Sequence, residues 1–464
     1  MPSRSASLTF RASVLVLAMG VATVLGAYRA KAESLLLVEA DTGKVLHAEN
    51  ATYPWHPASI SKLMTLYVTL RAVKEGRIGL DSLVSVSENA VAQAPSKMGF
   101  PVGTQMTVDN AIKMMMVKSA NDIAVVLAEG VDGSIEKFAD DMNKASARLG
   151  MTQSSWVNPN GLPADQQITS ARDMAILARA LIREFPEYDL YWHIPAIKFG
   201  RRIFRNYNKL IGHYPGADGM KTGFICASGY NLVSTATRNG KRLIAIVLGA
   251  PSGTARTETA ARLLENGFES GATSALSWLM PSLGTVDALT PIAAAPPDLR
   301  DQICGKGRRH RGEEDEETTA STGGSGEASA AYASLIPNFR NGVKTGTLLQ
   351  DLPPSMPPIA VSVIPVKGIK TDPDGAPIVA EKKKKGRKTL IVRTHHKKEE
   401  AAKKTDTTAS TKTAAAPAAS ADKKSKKAKA SAKAAAPAAA AEKPKPPARK
   451  KKPTAANAST KPQS

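Results

Sequence analysis

Ser59 and Lys62, in the stretch HPASISKLMT, stand three residues apart. On a helix that spacing puts both side chains on one face, near enough for the amine to take the hydroxyl proton and turn the serine into a nucleophile for acyl transfer. The spacing recurs as Ser134/Lys137 in DGSIEKFADD, but that serine follows Gly133 and precedes a helical run. It reads as an N-cap whose lysine points to water. The earlier pair follows Pro57 and is embedded in apolar sequence. Burial there would lower a lysine pKa from about 10.4 towards the roughly 7–8 useful to a base at neutral pH.

Two further patterns are also doubled. Ser-x-Asn occurs as Ser87-Glu88-Asn89, in a polar turn where capping is its expected job, and as Ser119-Ala120-Asn121, which breaks one strongly apolar helix from the next. A short loop at such a break can push polar groups into a cleft, so the later copy is favoured. Lys-Thr-Gly occurs as Lys221-Thr222-Gly223, directly before β-rich sequence, and as Lys344-Thr345-Gly346, between Gly/Ser-rich sequence and DLPPSMPP. An edge strand at the first copy could offer backbone and side chains to a substrate. The second has no rigid element to hold it and reads as chance repetition.

The elements that must position these residues follow from periodicity. SLLLVEADTGKVLHAE gives two apolar runs around Asp41-Thr42-Gly43, a hairpin. From Ser59 the spacing becomes helical, with Leu63, Tyr67 and Leu70 on one face and Gly76 as the stop. Helices are expected at Asp109 to Lys118, Asn121 to Glu129, Ser134 to Leu149 and Ser170 to Phe185, with Met114-Met115-Met116 as core packing. GYNLVSTATRNGKRLIAIVLGA holds two β runs joined by Asn239-Gly240, and Thr254 to Gly267 is a closing helix. The order predicts an antiparallel sheet whose first and last strands meet, with an all-helical insertion between.

Composition bounds the rest. The net charge of +22 on 464 residues would suggest a nucleic-acid binder, but the excess lysine lies beyond about Glu381, in runs such as EKKKKGRK and PARKKKP. Arg4 and Arg11 precede an apolar stretch, Ala12 to Ala27, and then Ala30-Lys31-Ala32, the small-x-small pattern a signal peptidase accepts. We read residues 1–32 as an export signal, with an uncleaved anchor as the alternative. The expected division is then a catalytic domain over 33–285, a Pro/Gly/Ser-rich and mostly disordered linker over 286–380, and a disordered Lys/Ala/Pro-rich basic tail over 381–464. Short Val/Ile runs between Ile359 and Ile391 are the one place where the linker sequence suits a strand. With only Cys226 and Cys304, far apart in sequence, neither a disulfide framework nor a cysteine metal site is expected. No cofactor is expected.

In this order and context, Ser59/Lys62, Ser119/Asn121 and Lys221/Thr222/Gly223 resemble the low-molecular-mass, penicillin-binding serine D-alanyl-D-alanine carboxypeptidases, which trim peptidoglycan stem peptides. The likeness extends to PASISKLMT, VKSANDIAVVLAE, NPNGLP, SARDMAILARAL and GADGMKTGFICASGYNLVSTA, roughly Glu33 to Gly271. It implies an α/β (α+β) fold of the β-lactamase/transpeptidase type: an antiparallel sheet flanked by helices, with an all-helical subdomain. It also implies roles. Ser59 would be the nucleophile, Lys62 its base, and Ser119 a proton relay, with Asn121 fixing Lys62 and the substrate amide. Lys221 would supply charge near the substrate carboxylate and help keep Lys62 neutral. Thr222 would bond that carboxylate, Gly223 and Phe224 would complete the binding strand, and backbone N–H groups of Ser59 and Phe224 would face the oxyanion. Arg256 is either a support for the carboxylate or a structural arginine. Implied partners are peptidoglycan stem peptides and β-lactam inhibitors. Many members carry a small β-rich domain and an amphipathic membrane helix after the catalytic domain; neither pattern is legible after Gly271.

Three rivals share the residues. A β-lactamase would need a water-activating glutamate in an ExxLN stretch, where this chain has NPNGLPADQQ. An endopeptidase would use the same machinery. A wall-binding protein would act through its basic tail on anionic envelope polymers or lipids, not on nucleic acid if the chain is exported.

Overall fold

The computed structural model describes residues 33–273, 283–305 and 348–366. The expected export signal, the basic tail and Lys344-Thr345-Gly346 lie outside the described residues.

The first strand, β1 (Ser34–Glu39), is apolar without alternation because the sheet is covered on both faces. Leu36 and Val38 enter the core shared with the helical block, and Leu35 and Leu37 enter the core on the opposite face. Strand β9 (Lys241–Ala250) divides in the same way, Ile244 and Ile246 from Leu243 and Val247. Period-2 geometry thus makes each run serve two layers. With β2 (Val45–Glu49), β7 (Ala217–Ile225) and β8 (Gly229–Arg238), the five-stranded sheet has the order β2-β1-β9-β8-β7. Every neighbouring pair is antiparallel, and β1 pairs with β9 with Leu36 opposite Ile246, so the first and last long strands meet as the sequence predicts. Asn239 and Gly240 both take positive φ, 50° and 77°, the turn that matches the twist of a tight hairpin.

Between β2 and β7 lies the helical block: α1 (Lys62–Lys74), α2 (Glu88–Ala92), α3 (Val108–Lys118), α4 (Asn121–Asp132), α5 (Ile135–Leu149) and α6 (Ala171–Glu184). The expected face of α1 is buried, but so are Met64, Leu66 and Val68. Helix α1 is therefore a central helix and not an amphipathic one. Met114, Met115 and Met116 are core residues. Helix α7 (Gly253–Thr273) covers the other face of the sheet. Two antiparallel pairs were not anticipated: β3 (Leu83–Ser85) with β4 (Gln105–Thr107), across the segment that holds α2, and the hairpin of β5 (Ala196–Phe199) with β6 (Arg202–Arg205).

Parts of the segment expected to be linker lie on this body. Val286 donates its N–H to Gly43 O, and Leu299, which is buried, donates to Ala227 O ahead of α8 (Arg300–Cys304). Further on, β10 (Ile359–Ala360) runs parallel to β5, and Ile364 bridges Gln105. The expectation about cysteine is corrected outright: Cys226 and Cys304, 78 residues apart, form a disulfide with Cα atoms 5.7 Å apart. Sequence separation misled because the chain returns after α7 and lays α8 beside the β7–β8 turn. Among the described residues, no helix is long and apolar enough to cross a membrane.

Candidate active site

Ser59 sits in a single 3-10 turn, Ala58–Ser61, that leads into α1. Ala58 adopts φ 52°, an unfavourable conformation for a residue with a Cβ, and it persists because the surroundings fix it. Asn231 on β8 donates its side-chain amide to His56 O at 3.0 Å and Pro57 O at 3.1 Å. Two glycines close on the same turn. At Gly161 (φ 81°) a Cβ would fall 1.8 Å from Ala58 O, and at Gly223 it would fall 2.9 Å from the backbone nitrogens of Ser59 and Ile60. Only glycine lets the NPNGLP loop and strand β7 approach the turn so closely.

Lys62, at the first position of α1, is 0 % exposed. Its amine donates to Ser59 Oγ at 2.9 Å, to Asn121 Oδ1 at 2.7 Å and to the backbone carbonyl of Asn160 at 2.6 Å. The helical spacing read from the sequence therefore delivers the contact it implied. The Asn160 carbonyl was not foreseen, since a backbone acceptor leaves no side-chain signature.

The break between α3 and α4 sets the next group. Ser119 takes φ 57°, ending α3, and Asn121 begins α4. Asn121 gives its side-chain N–H to Ala94 O at 3.0 Å and its backbone N–H to Ser96 O at 2.7 Å, so its oxygen is left aimed at Lys62. Asp122 steadies this loop by accepting the N–H groups of Met98 and Gly99, at 3.1 and 2.8 Å. Burial pushes the Asp122 carboxyl above its usual range, against those backbone bonds.

Strand β7, at the edge of the sheet, brings in the third group. Lys221, 2 % exposed, donates to Ser119 Oγ at 2.9 Å and to Thr222 O at 3.1 Å. Thr222 Oγ1 is buried and has no hydrogen-bond partner among the described residues. Phe224 is half-buried, with its ring 4.3 Å from that of Tyr230. The structure thus gathers Ser59, Lys62, Ser119, Asn121, Lys221, Thr222 and Gly223 in one place, with Phe224 next along the strand.

The decoys behave as local sequence predicts. Ser134 caps α5 by accepting Lys137 N at 3.2 Å, and Ser87 caps α2 by accepting Ala90 N at 3.0 Å. Arg256 is buried on α7, donating towards Asn231 O at 3.4 Å with its guanidinium 5.7 Å from the Tyr230 ring. That position supports β8 from the face opposite the helical block.

Comparison with known proteins agrees with this arrangement. A family profile described as D-alanyl-D-alanine carboxypeptidase matches residues 21–252, half of the chain. The chain is 35% identical over 244 residues to D-alanyl-D-alanine carboxypeptidase DacF of Bacillus subtilis (strain 168), covering 51% of this chain and 62% of that protein. It is 36% identical over 244 residues to DacC of Escherichia coli (strain K12), covering 51% and 61%. The chain therefore spans less than two thirds of the length of these relatives. The crystal structure of D-alanyl-D-alanine carboxypeptidase DacD from Francisella tularensis superposes with a TM-score of 0.50 at 30% identity, covering 51% of this chain and 70% of that one. With three motifs brought into contact, on a sheet and helical block of the penicillin-binding, transpeptidase type, the chain belongs to the D-alanyl-D-alanine carboxypeptidase family.

Proposed function

We propose that the chain is a serine D-alanyl-D-alanine carboxypeptidase, exported to the cell envelope, that removes the terminal D-alanine from peptidoglycan stem peptides. The observation that carries the reading is the buried Lys62 amine, held between Ser59 Oγ and Asn121 Oδ1. A serine hydroxyl is a weak nucleophile until a base lies within hydrogen-bond reach, and a lysine can be that base only as the neutral amine, its two N–H groups then given to Asn121 Oδ1 and Asn160 O and its lone pair turned to Ser59 Oγ.

In this mechanism Ser59 Oγ attacks the carbonyl between the two D-alanines while Lys62 takes its proton. The oxyanion is met by the backbone N–H groups of Ser59 and Phe224. Collapse breaks the peptide bond as the proton held by Lys62 is returned through the Ser119 hydroxyl to the departing amine, which leaves Lys62 neutral again, and D-alanine departs. Water then attacks the Ser59 ester with Lys62 again as base, releasing the shortened peptide and restoring the serine. Lys221 supplies charge for the substrate carboxylate, and the Thr222 hydroxyl, without a partner among the described residues, has an acceptor once that carboxylate arrives. A β-lactam would acylate Ser59 by the same steps and, with its leaving group still attached, block the water.

The test is release of free D-alanine from a D-Ala-D-Ala-terminated tripeptide by the wild-type chain and by Lys62→Ala. Stoichiometric release that Lys62→Ala abolishes supports the reading. Equal release by both, or none by the wild type, refutes it.

A further inference from the structure

A cavity of about 380 Å³ lies between the loop leading into β7 and the returning segment 351–354. None of the residues assigned to catalysis lines it. Tyr207, Ile211 and Leu352 form apolar walls, and Arg205, Lys209 and His213 bring basic groups to it. Asp351, 3.3 Å from His213, is the one carboxylate among its described lining residues. Arg205 is exposed and makes no ion pair among the described residues. Lys198 shares its face of the β5–β6 hairpin, since Ala196 is paired with Arg205 and Lys198 with Ile203.

The wall at 351–354 is built in. Gln350 N donates to His213 O at 2.8 Å and Leu352 N to Gly212 O at 3.0 Å, while Leu348 and Leu349 pack on the core beneath α7. This wall comes from sequence beyond the region that matches the family. The cavity also touches the catalytic framework. Tyr207 Oη accepts from Lys118, the residue before Ser119, at 2.7 Å, and neighbouring Asn208 donates to Gly219 O, two residues before Lys221, at 2.7 Å.

We propose that this cavity is an accessory subsite for a carboxylate-bearing stem peptide, an inference that rests on the carboxypeptidase reading. Its volume falls within the roughly 300–1,000 Å³ usual for small-ligand sites. The mixture of basic and aliphatic lining suits a short peptide whose carboxylate meets Arg205 and Lys209 and whose small side chains face Ile211 and Leu352. An inorganic anion would leave those apolar walls unused, and a lipid surface would not enter a recess. A peptide held there lies one hydrogen bond from Lys118, so a stem peptide of one strand would be retained beside the site that trims another.

The probe is muramyl tripeptide, which carries stem carboxylates but lacks the D-Ala-D-Ala bond. It is titrated calorimetrically at low salt into the full chain carrying Ser59→Ala, alone and combined with Arg205→Glu or with the cavity-filling Leu352→Trp. Saturable binding weakened about tenfold or more by either addition supports the subsite, in keeping with the loss of one charge-assisted contact. Absence of saturable binding, or equal binding in all three proteins, which would assign the peptide to the cleft, overturns it. Acylation of the wild-type chain by a penicillin reports separately on the reading beneath: acylation without tripeptide binding removes only the subsite, and no acylation removes both.

Discussion

Gly223→Ala should slow acylation of Ser59 without unfolding the protein. A Cβ at this position would lie 2.9 Å from the backbone nitrogens of Ser59 and Ile60 and 3.0 Å from Pro57 O. Ordinary carbon contacts start near 3.4 Å, so strand and turn must part by about 0.5 Å, and all three opposing atoms are backbone. Asn231 ties Pro57 to β8, so the turn cannot simply retreat. Overpacking of this kind costs about 1–3 kcal/mol of stability. Misplacing a reacting group by about 1 Å can cost about 10²-fold in rate, so half that displacement predicts roughly a tenfold loss, or about 1.4 kcal/mol in the barrier. The assay is the second-order rate of acylation by a fluorescent penicillin, with thermal melting alongside. Gly240→Ala is the control: at φ 77° an alanine is strained by the backbone, which Gly223 is not, but a Cβ there would meet nothing within 4 Å. It should lower the melting temperature and leave acylation alone. If Gly223→Ala acylates at the wild-type rate, the claim that glycine sets the approach of β7 to the nucleophile is wrong.

Three further outcomes are expected. Thr222→Val should leave stability within about 0.5 kcal/mol, because the buried hydroxyl has no partner to lose among the described residues, yet raise KM for carboxylate-ended peptides by about tenfold, measured by steady-state D-alanine release. Burial raises the Asp122 pKa in the folded state, so the folded chain holds that proton to higher pH than the unfolded one. Its contribution is therefore full below the ordinary aspartate value of about 3.9 and declines as pH rises through the raised value. The stability of wild type minus that of Asp122→Asn should fall with rising pH across that window, and a flat difference in urea melts would contradict the assignment. Cys304→Ser removes a cross-link closing a loop of 78 residues and should cost up to about 4.5 kcal/mol on loop entropy, read as a lowered denaturant midpoint.

How much of this was legible depended on how local the cause was. Ser134 and Ser87 could be read as caps because their partners, Lys137 N and Ala90 N, lie three residues away. Asn239-Gly240 declared its hairpin by turn chemistry alone. Ser59/Lys62 was legible for the same reason, a contact within one helical turn. Their association with Asn121 and Lys221 came from motif order and family likeness, because nothing local says that residues 59 apart touch. What the sequence hid was non-local or carried by the backbone. The Asn160 carbonyl reaches Lys62 only because Gly161 allows its loop against Ala58. The β5–β6 hairpin was obscured by Arg201, Arg202 and Arg205, which break the apolar alternation. Cys226 and Cys304 meet because α8 is carried back to the turn after β7, a path that depends on Leu299 finding a buried place.

The central claim, that Ser59 is a nucleophile activated by Lys62, is tested most directly by intact mass after incubation with a penicillin, wild type beside Ser59→Ala. The account predicts one covalent adduct on the wild type, persisting for minutes because the leaving group stays attached and blocks water, and none on Ser59→Ala. Adduct on both proteins, or on neither, would contradict it.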